Sequence, residues 1–146
     1  PLRSEEDRMA IVEAVANGLI DVISSMHTPA DEESKRLPFE EAAAGAVALE
    51  TLLPAAMRLY HAGAMDMPTL WRALSLNPAR RLGLPQGRLA LGAPADLVLF
   101  DPYAPSLLDR SRLHSKSKNT PFDGCRMEGR VLATYVGGEL KYQFRE

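Results

Sequence analysis

Leu19-Ile20-Asp21-Val22-Ile23-Ser24-Ser25-Met26-His27-Thr28-Pro29-Ala30-Asp31-Glu32-Glu33-Ser34-Lys35 is the stretch on which the reading of this chain turns. Leu19–Ser24 is too short and too β-branched for a helix, and it alternates too little for a strand with one wet face. It reads as a strand covered on both sides, the kind that belongs to a parallel sheet. A polar loop follows directly. In α/β architectures the carboxyl end of a strand opens into the ligand-binding mouth, because side chains there project from a rigid frame. Met26 and His27 therefore stand where chemistry would sit.

On the amino-terminal side, Ser4 followed by Glu5, Glu6 and Asp7 predicts a helix start, a hydroxyl cap with three carboxylates at the positive end of the dipole. Ile11, Val12 and Val15 supply its buried stripe, and Asn17-Gly18 ends it. On the other side, Pro38-Phe39 through Gly45 leads into a second helix over Val47–Ala62, with Leu49, Leu52, Leu53, Ala56 and Leu59 at helical spacing and a kink at Pro54. Gly63 stops it. A third helix is expected over Pro68–Leu76, and Asn77-Pro78-Ala79-Arg80-Arg81-Leu82-Gly83 repeats the pattern of cap, proline and terminal glycine.

Composition changes at Leu84. Pro85, Gly87, Gly92, Pro94, Pro102 and Pro105 break the chain into short pieces, and β-type runs such as Ala95–Asp101 replace helical periodicity. Val131–Val136 and Glu139–Phe144 flank Gly137-Gly138, a hairpin signal, since two glycines accept the positive φ of a tight turn. Two units follow: 1–83, α/β, and 84–146, β-rich. Their strands are too few, because a lone parallel strand satisfies neither its own backbone nor its own faces. Missing segments of the same polypeptide, or another chain, are expected to supply the neighbours.

The 146 residues, 46% hydrophobic and 25% charged, suit one globular domain with a formal charge of −2. A basic cluster at Arg110–Lys118 has no interleaved aromatics, which argues against nucleic acid. No apolar run approaches the roughly 20 residues of a membrane span. The single Cys125 and the absence of a signal-like start predict a reducing, cytoplasmic setting.

Several pieces, in order along nearly the whole chain, resemble one family. They are Pro1-Leu2-Arg3-Ser4-Glu5-Glu6-Asp7-Arg8, the strand and loop Ile20–Lys35, Pro38-Phe39 through Gly45, Leu49-Glu50-Thr51, Asn77-Pro78-Ala79, Gly92-Ala93-Pro94-Ala95-Asp96-Leu97 and Ser115-Lys116-Ser117-Lys118-Asn119-Thr120-Pro121-Phe122. Together they resemble the C-terminal part of a dihydroorotase, in the amidohydrolase superfamily, and the last run is the most specific of them. The resemblance implies the closing part of a (β/α)8 barrel, with Leu19–Ser24 as last strand, joined to the C-terminal segment of a small β domain. It also implies reversible cyclisation of N-carbamoyl-L-aspartate to dihydroorotate in pyrimidine biosynthesis, with zinc polarising the amide carbonyl and activating water. The zinc ligands of such enzymes are expected upstream of Pro1, so the chain alone should hold no metal and show no hydrolase activity. A homo-oligomer is expected; the second reading the resemblance offers is a catalytically silent dihydroorotase-like subunit that acts as a scaffold for aspartate transcarbamoylase. An amidohydrolase for another cyclic amide is a third reading.

Where the family has a proton-shuttling aspartate at the strand end this sequence has Met26, and where it has a histidine that holds the substrate carboxylate there is Ala30. The backbone at Ala44 and Gly45, which in the family approaches the substrate ring, matches by type. A thioether neither titrates nor binds hard or borderline metals well. His27 is read as a structural hydrogen-bonding residue, and Asp21 as structural because it opens the strand at the wrong end of the barrel. His61 and His114 are read as surface residues, and Met57, Met65 and Met67 as packing or surface. The acidic run Asp31-Glu32-Glu33 reads as a solvated loop, Arg110, Arg112, Lys116 and Lys118 as an exposed basic loop, and Cys125 as inert.

Overall fold

The structure, a computed structural model, describes residues 3–145; Pro1 and Leu2 of the opening motif lie outside the described residues. Helix α1 spans Glu5–Ala16, with the Ser4 hydroxyl accepting from the Asp7 N–H at 3.2 Å as its cap. Val15 is buried, but Ile11 of the expected stripe faces solvent. The expected last strand starts later than Leu19: Leu19 and Ile20 bend back to donate their N–H groups to Ala14 O, and 21–24 continue without helix. Leu19–Ser24 has no ladder pairing among the described residues; a parallel bridge between His27 and Ala46 follows it, in the loop. Ile23 donates its N–H to Ala73 O at 3.0 Å, and Asp21 O accepts from Asn77 Nδ2 at 2.9 Å. The segment is thus held against the π-helical turn Arg72–Leu76 and the start of the helix Asn77–Arg81 that follows it, rather than by a ladder among the described residues. Asp21 acts here through its backbone.

Beyond the loop come the short α2 (Glu32–Lys35) and then α3 (Leu52–His61). Helix α3 begins later than the expected Val47, so Pro54 falls in its first turn. The missing N–H costs nothing there, and the anticipated kink has no cause. Helix α4 (Met67–Trp71) is capped by Asp66, whose Oδ1 accepts from the Thr69 N–H at 2.8 Å. It passes without a break through a π-helical turn, Arg72–Leu76, into α5 (Asn77–Arg81). The expected stop at Asn77 is absent. Pro78 has no N–H for the carbonyl four residues back, and the Asn77 N–H reaches Arg72 O instead. One residue of slack accommodates the proline inside a continuous helix.

Strands β1 (Leu97–Leu107), β2 (Arg126–Val136) and β3 (Glu139–Gln143) form one antiparallel sheet in that order. The Gly137-Gly138 turn joins β2 to β3, with φ of 58° and 81°. Strand β1 carries Pro102 and Pro105, and its register with β2 shifts between Asp101 and Pro105, where a proline leaves a ladder position empty. The core lies between α1, α3, α4 and the sheet, built on Val15, Ala56, Met57, Met65, Leu70 and Ala73. Met57 and Met65 are therefore packing residues. Helix α3 sits so close to β2 that a Cβ at Gly129 would fall 2.8 Å from Met57 Cγ. His61 is exposed, and its ring lies against the sheet, with Nε2 3.0 Å from Pro102 O and 3.3 Å from the Glu128 carboxylate. Among the described residues no helix is long and apolar enough to cross a membrane.

Candidate functional site

The strand end projects into a loop with an unusual backbone. Met26 holds φ at +44°, and among the described non-glycine residues it alone has a positive value. The turn is fixed from both sides: its N–H donates to Ser24 Oγ at 3.4 Å and its carbonyl accepts from the Thr28 hydroxyl at 2.8 Å. The side chain is 77% exposed. Positive φ suits Asn and Asp better than Met. The backbone thus retains a shape in which a short polar side chain would be at ease, while the residue present supplies a thioether.

His27 next to it is structural. Its Nδ1 accepts from the Ala48 N–H at 2.9 Å and the Leu49 N–H at 3.3 Å, so that nitrogen is bare and the proton sits on Nε2. The ring anchors the stretch that precedes α3, and the parallel bridge to Ala46 runs alongside it. His114 is exposed, while its N–H and that of Ser115 both donate to the Glu50 carboxylate at 3.0 Å.

Ala30 and Gly45 are brought together, and the residue that joins them is Asn119. Its Oδ1 accepts from the Ala30 N–H at 3.2 Å, while its Nδ2 donates to Thr28 O at 3.1 Å and to Gly45 O at 3.4 Å. Its own carbonyl accepts from the Val47 N–H at 2.9 Å. Lys35 reinforces the same wall from below, with Nζ on Ala43 O at 2.5 Å and on Gly45 O at 3.0 Å. Gly45 stands at φ +96°, and a Cβ on it would meet Thr28 Cβ at 2.6 Å. Two loops far apart in sequence are thereby pressed together, with Ala44 and Gly45 both exposed on the outer side. Met26, by contrast, makes no side-chain contact with this wall that a hydrogen bond records.

Ala30 lines a cleft of about 620 Å³ together with Asp31, Lys35, Arg110, Lys116 and Lys118. Asp31 caps α2, its Oδ1 accepting from the Ser34 N–H at 2.6 Å, and that bond holds the carboxyl below the usual carboxylate range. The resemblance noted in the sequence implies a metal in the whole protein. Among the described residues no three His, Cys, Asp or Glu side chains converge on a point, and the His27 nitrogen aimed inward is taken by two N–H groups. The donors present do not fit a metal centre, and no step here is routed through one.

The signals for this site were uneven. Met26 and Ala30 announce themselves by type, whereas Asn119 and Lys35 act on backbone carbonyls, which have no sequence signature. Asn119 was visible only as one letter of the Lys-Asn-Thr-Pro-Phe run.

The family model described as the amidohydrolase family matches residues 2–141. The chain is 46% identical over 98% of its length to a "Dihydroorotase-like protein" from Pseudomonas aeruginosa, covering 34% of it. It is 44% identical over 97% of its length to a dihydroorotase from Wolbachia sp. subsp. Drosophila simulans, covering 32%. Among solved structures, the L-hydantoinase (dihydropyrimidinase) from Arthrobacter aurescens superposes with a TM-score of 0.91 at 31% identity, over 98% of this chain and 33% of that one. The chain thus spans about a third of the length of the curated relatives it matches, the C-terminal portion of them. The fold is accordingly the C-terminal part of an amidohydrolase barrel together with a small antiparallel sheet.

Proposed function

This chain belongs to the amidohydrolase family, and from that premise we propose that the whole protein is a dihydroorotase-like member without ring-opening activity, retained as a structural subunit. The observation that carries this reading is Met26. To open dihydroorotate, water adds to the ring amide carbonyl, the carbon–nitrogen bond breaks, and a proton passes from the water to the departing nitrogen. A group at the strand end has to accept that proton and give it back. A thioether does neither. Ala30 offers a methyl group where a substrate carboxylate would need a donor, and its N–H is already given to Asn119.

What remains is the frame. Gly45, Thr28, Lys35 and Asn119 keep the loop wall in shape, which is what a subunit needs when its surface rather than its chemistry is used. The name of the Pseudomonas aeruginosa relative, dihydroorotase-like, supports the same reading. The partner we assign is aspartate transcarbamoylase, within an oligomeric, cytoplasmic assembly. Zinc, where the whole protein holds it, takes its ligands from outside these residues.

A second reading, hydrolysis of another cyclic amide or ureide, is favoured by the likeness to the Arthrobacter hydantoinase and by the preserved Gly45 wall. It requires a proton carrier other than Met26. The deciding experiment uses the full-length protein: dihydroorotate ring opening, hydantoin hydrolysis and co-purification with the transcarbamoylase are measured side by side. We expect a stable complex and no turnover. Steady turnover of dihydroorotate by the unmodified protein would sink the structural reading, and turnover of hydantoin alone would favour the second.

A further inference from the structure

We propose that the cleft between the strand-end loop and residues 110–119 is a binding site for a small polyanion, a molecule carrying at least two phosphate or carboxylate charges. The chain as a whole bears a formal charge of −2. Even so, Lys35, Arg110, Lys116 and Lys118 line this one cleft of about 620 Å³, against the two carboxylates Asp31 and Glu32. Both carboxylates are committed elsewhere. Asp31 caps α2 through the Ser34 N–H, and Glu32 pairs with Arg36 at 2.5 Å.

The cations are differently placed. Lys35 Nζ rests on the carbonyls of Ala43 and Gly45, and Lys118 Nζ on Leu113 O at 2.6 Å. A carbonyl fixes an ammonium group without an opposing charge, so these side chains have lost rotamer freedom beforehand and retain N–H groups to give. Arg110 meets Asp123 through Nε at 3.4 Å, which leaves the terminal nitrogens of the guanidinium for the bidentate contact that oxyanions favour. Lys116 is exposed and has no ion pair or side-chain hydrogen bond among the described residues. A second hollow of about 380 Å³ shares Lys35, Arg110, Lys118 and Asn119 and carries the same charge on towards Gly45 and Pro121. Positive charge spread over two joined hollows suits a ligand whose negative charges are separated, rather than a single halide or formate.

This inference does not depend on whether the protein opens a ring. It is tested on the full-length protein by titration calorimetry at low ionic strength, with inorganic pyrophosphate and, separately, succinate as probes. One molecule of at least one probe should bind per chain; which of them binds tells phosphate from carboxylate. Lys116→Ala should weaken binding by about three- to fivefold and Lys116→Glu by about tenfold or more, as expected for one exposed charge-assisted contact. Among the described residues Lys116 holds no other in place, and an unchanged melting temperature of both variants checks that they fold. Arg88→Glu, outside the cleft, should leave binding unchanged. Absence of binding by both probes, indifference to Lys116→Glu, or equal weakening by Arg88→Glu would each overturn the proposal.

Discussion

Met26 at φ +44° and Gly45 at φ +96° both hold left-handed backbone, but the surroundings make opposite demands at the two positions. At Gly45 the left-handed backbone is combined with a close approach, since an added Cβ would lie 2.6 Å from Thr28 Cβ. Gly45→Ala should therefore cost about 2–4 kcal/mol, strain and overpacking together, read as a lowered urea midpoint. Gly18→Ala, at φ +74° with nothing within 4 Å, should cost about 1 kcal/mol. Equal losses at the two glycines would refute the packing argument. At Met26 the strain is paid without any burial to offset it, so Met26→Gly should stabilise the chain by about 0.5–1 kcal/mol, and a loss of stability there would mean that the side chain packs after all. What sequence could show at this scale was the kind of residue at each position. That Met26 and Ala30 lack a carboxylate and an imidazole is plain from the letters. That Asn119 ties Ala30, Thr28 and Gly45 is not, because its partners are main-chain groups brought near only by the tertiary fold.

Helix starts were legible because a cap and its helix are local. That holds for Ser4, which caps α1; Asp66, which caps α4, was not singled out, and the acidic run read as a solvated loop is instead the start of α2, capped by Asp31. Thr69, through its hydroxyl and then its N–H, holds the Asp66 carboxyl below the usual carboxylate range, with the Arg72 charge adding to the effect. A carboxyl depressed in the folded state favours folding above the unfolded pKa, about 3.9 for Asp, and that contribution is lost as the pH falls through the folded value. Asp66→Asn keeps an acceptor but no charge. Its melting temperature should lie below that of the unmodified chain at pH 7, and the two should converge towards pH 3; a gap that stays constant with pH would remove the electrostatic part of the cap. The places where sequence misled were those where a local signal met a tertiary solution. Pro78 would end an ordinary helix, and here a π turn absorbs it between α4 and α5. The apolar spacing that begins at Val47 is real, yet Val47 is buried outside any helix, donating its N–H to Asn119 O. The hairpin at Gly137-Gly138 was legible for the reason the Ser4 cap was: the turn demands those residues by itself.

At the scale of the molecule, the Leu19–Ser24 segment shows how far its own residues support it. Leu19 is 82% exposed and Phe39, Leu89 and Leu91 are more so, although a chain with this composition has ample means to build a core and does build one around Met57 and Leu70. Side chains of this size left in water on several faces exceed the scattered apolar residues of an ordinary surface, and such surface is normally covered. Backbone polar groups point the same way, since among the described residues the segment has no ladder pairing, the parallel bridge at His27 lying beyond it, and borrows partners from α1 and the α4–α5 helix. One face of the segment, through Ile20 and Ile23, packs on the core, while Leu19 and Val22 are left exposed and the segment has no strand partner among the described residues, as for a stave with neighbours. The expected consequence is that these 146 residues, produced alone, self-associate and bind the dye ANS strongly. Sedimentation velocity at several concentrations checks this: the mean mass should rise with concentration and dye fluorescence should accompany it. A monodisperse species of 16.0 kDa that leaves the dye dark would mean that Leu19, Phe39 and Leu91 find cover within the chain itself.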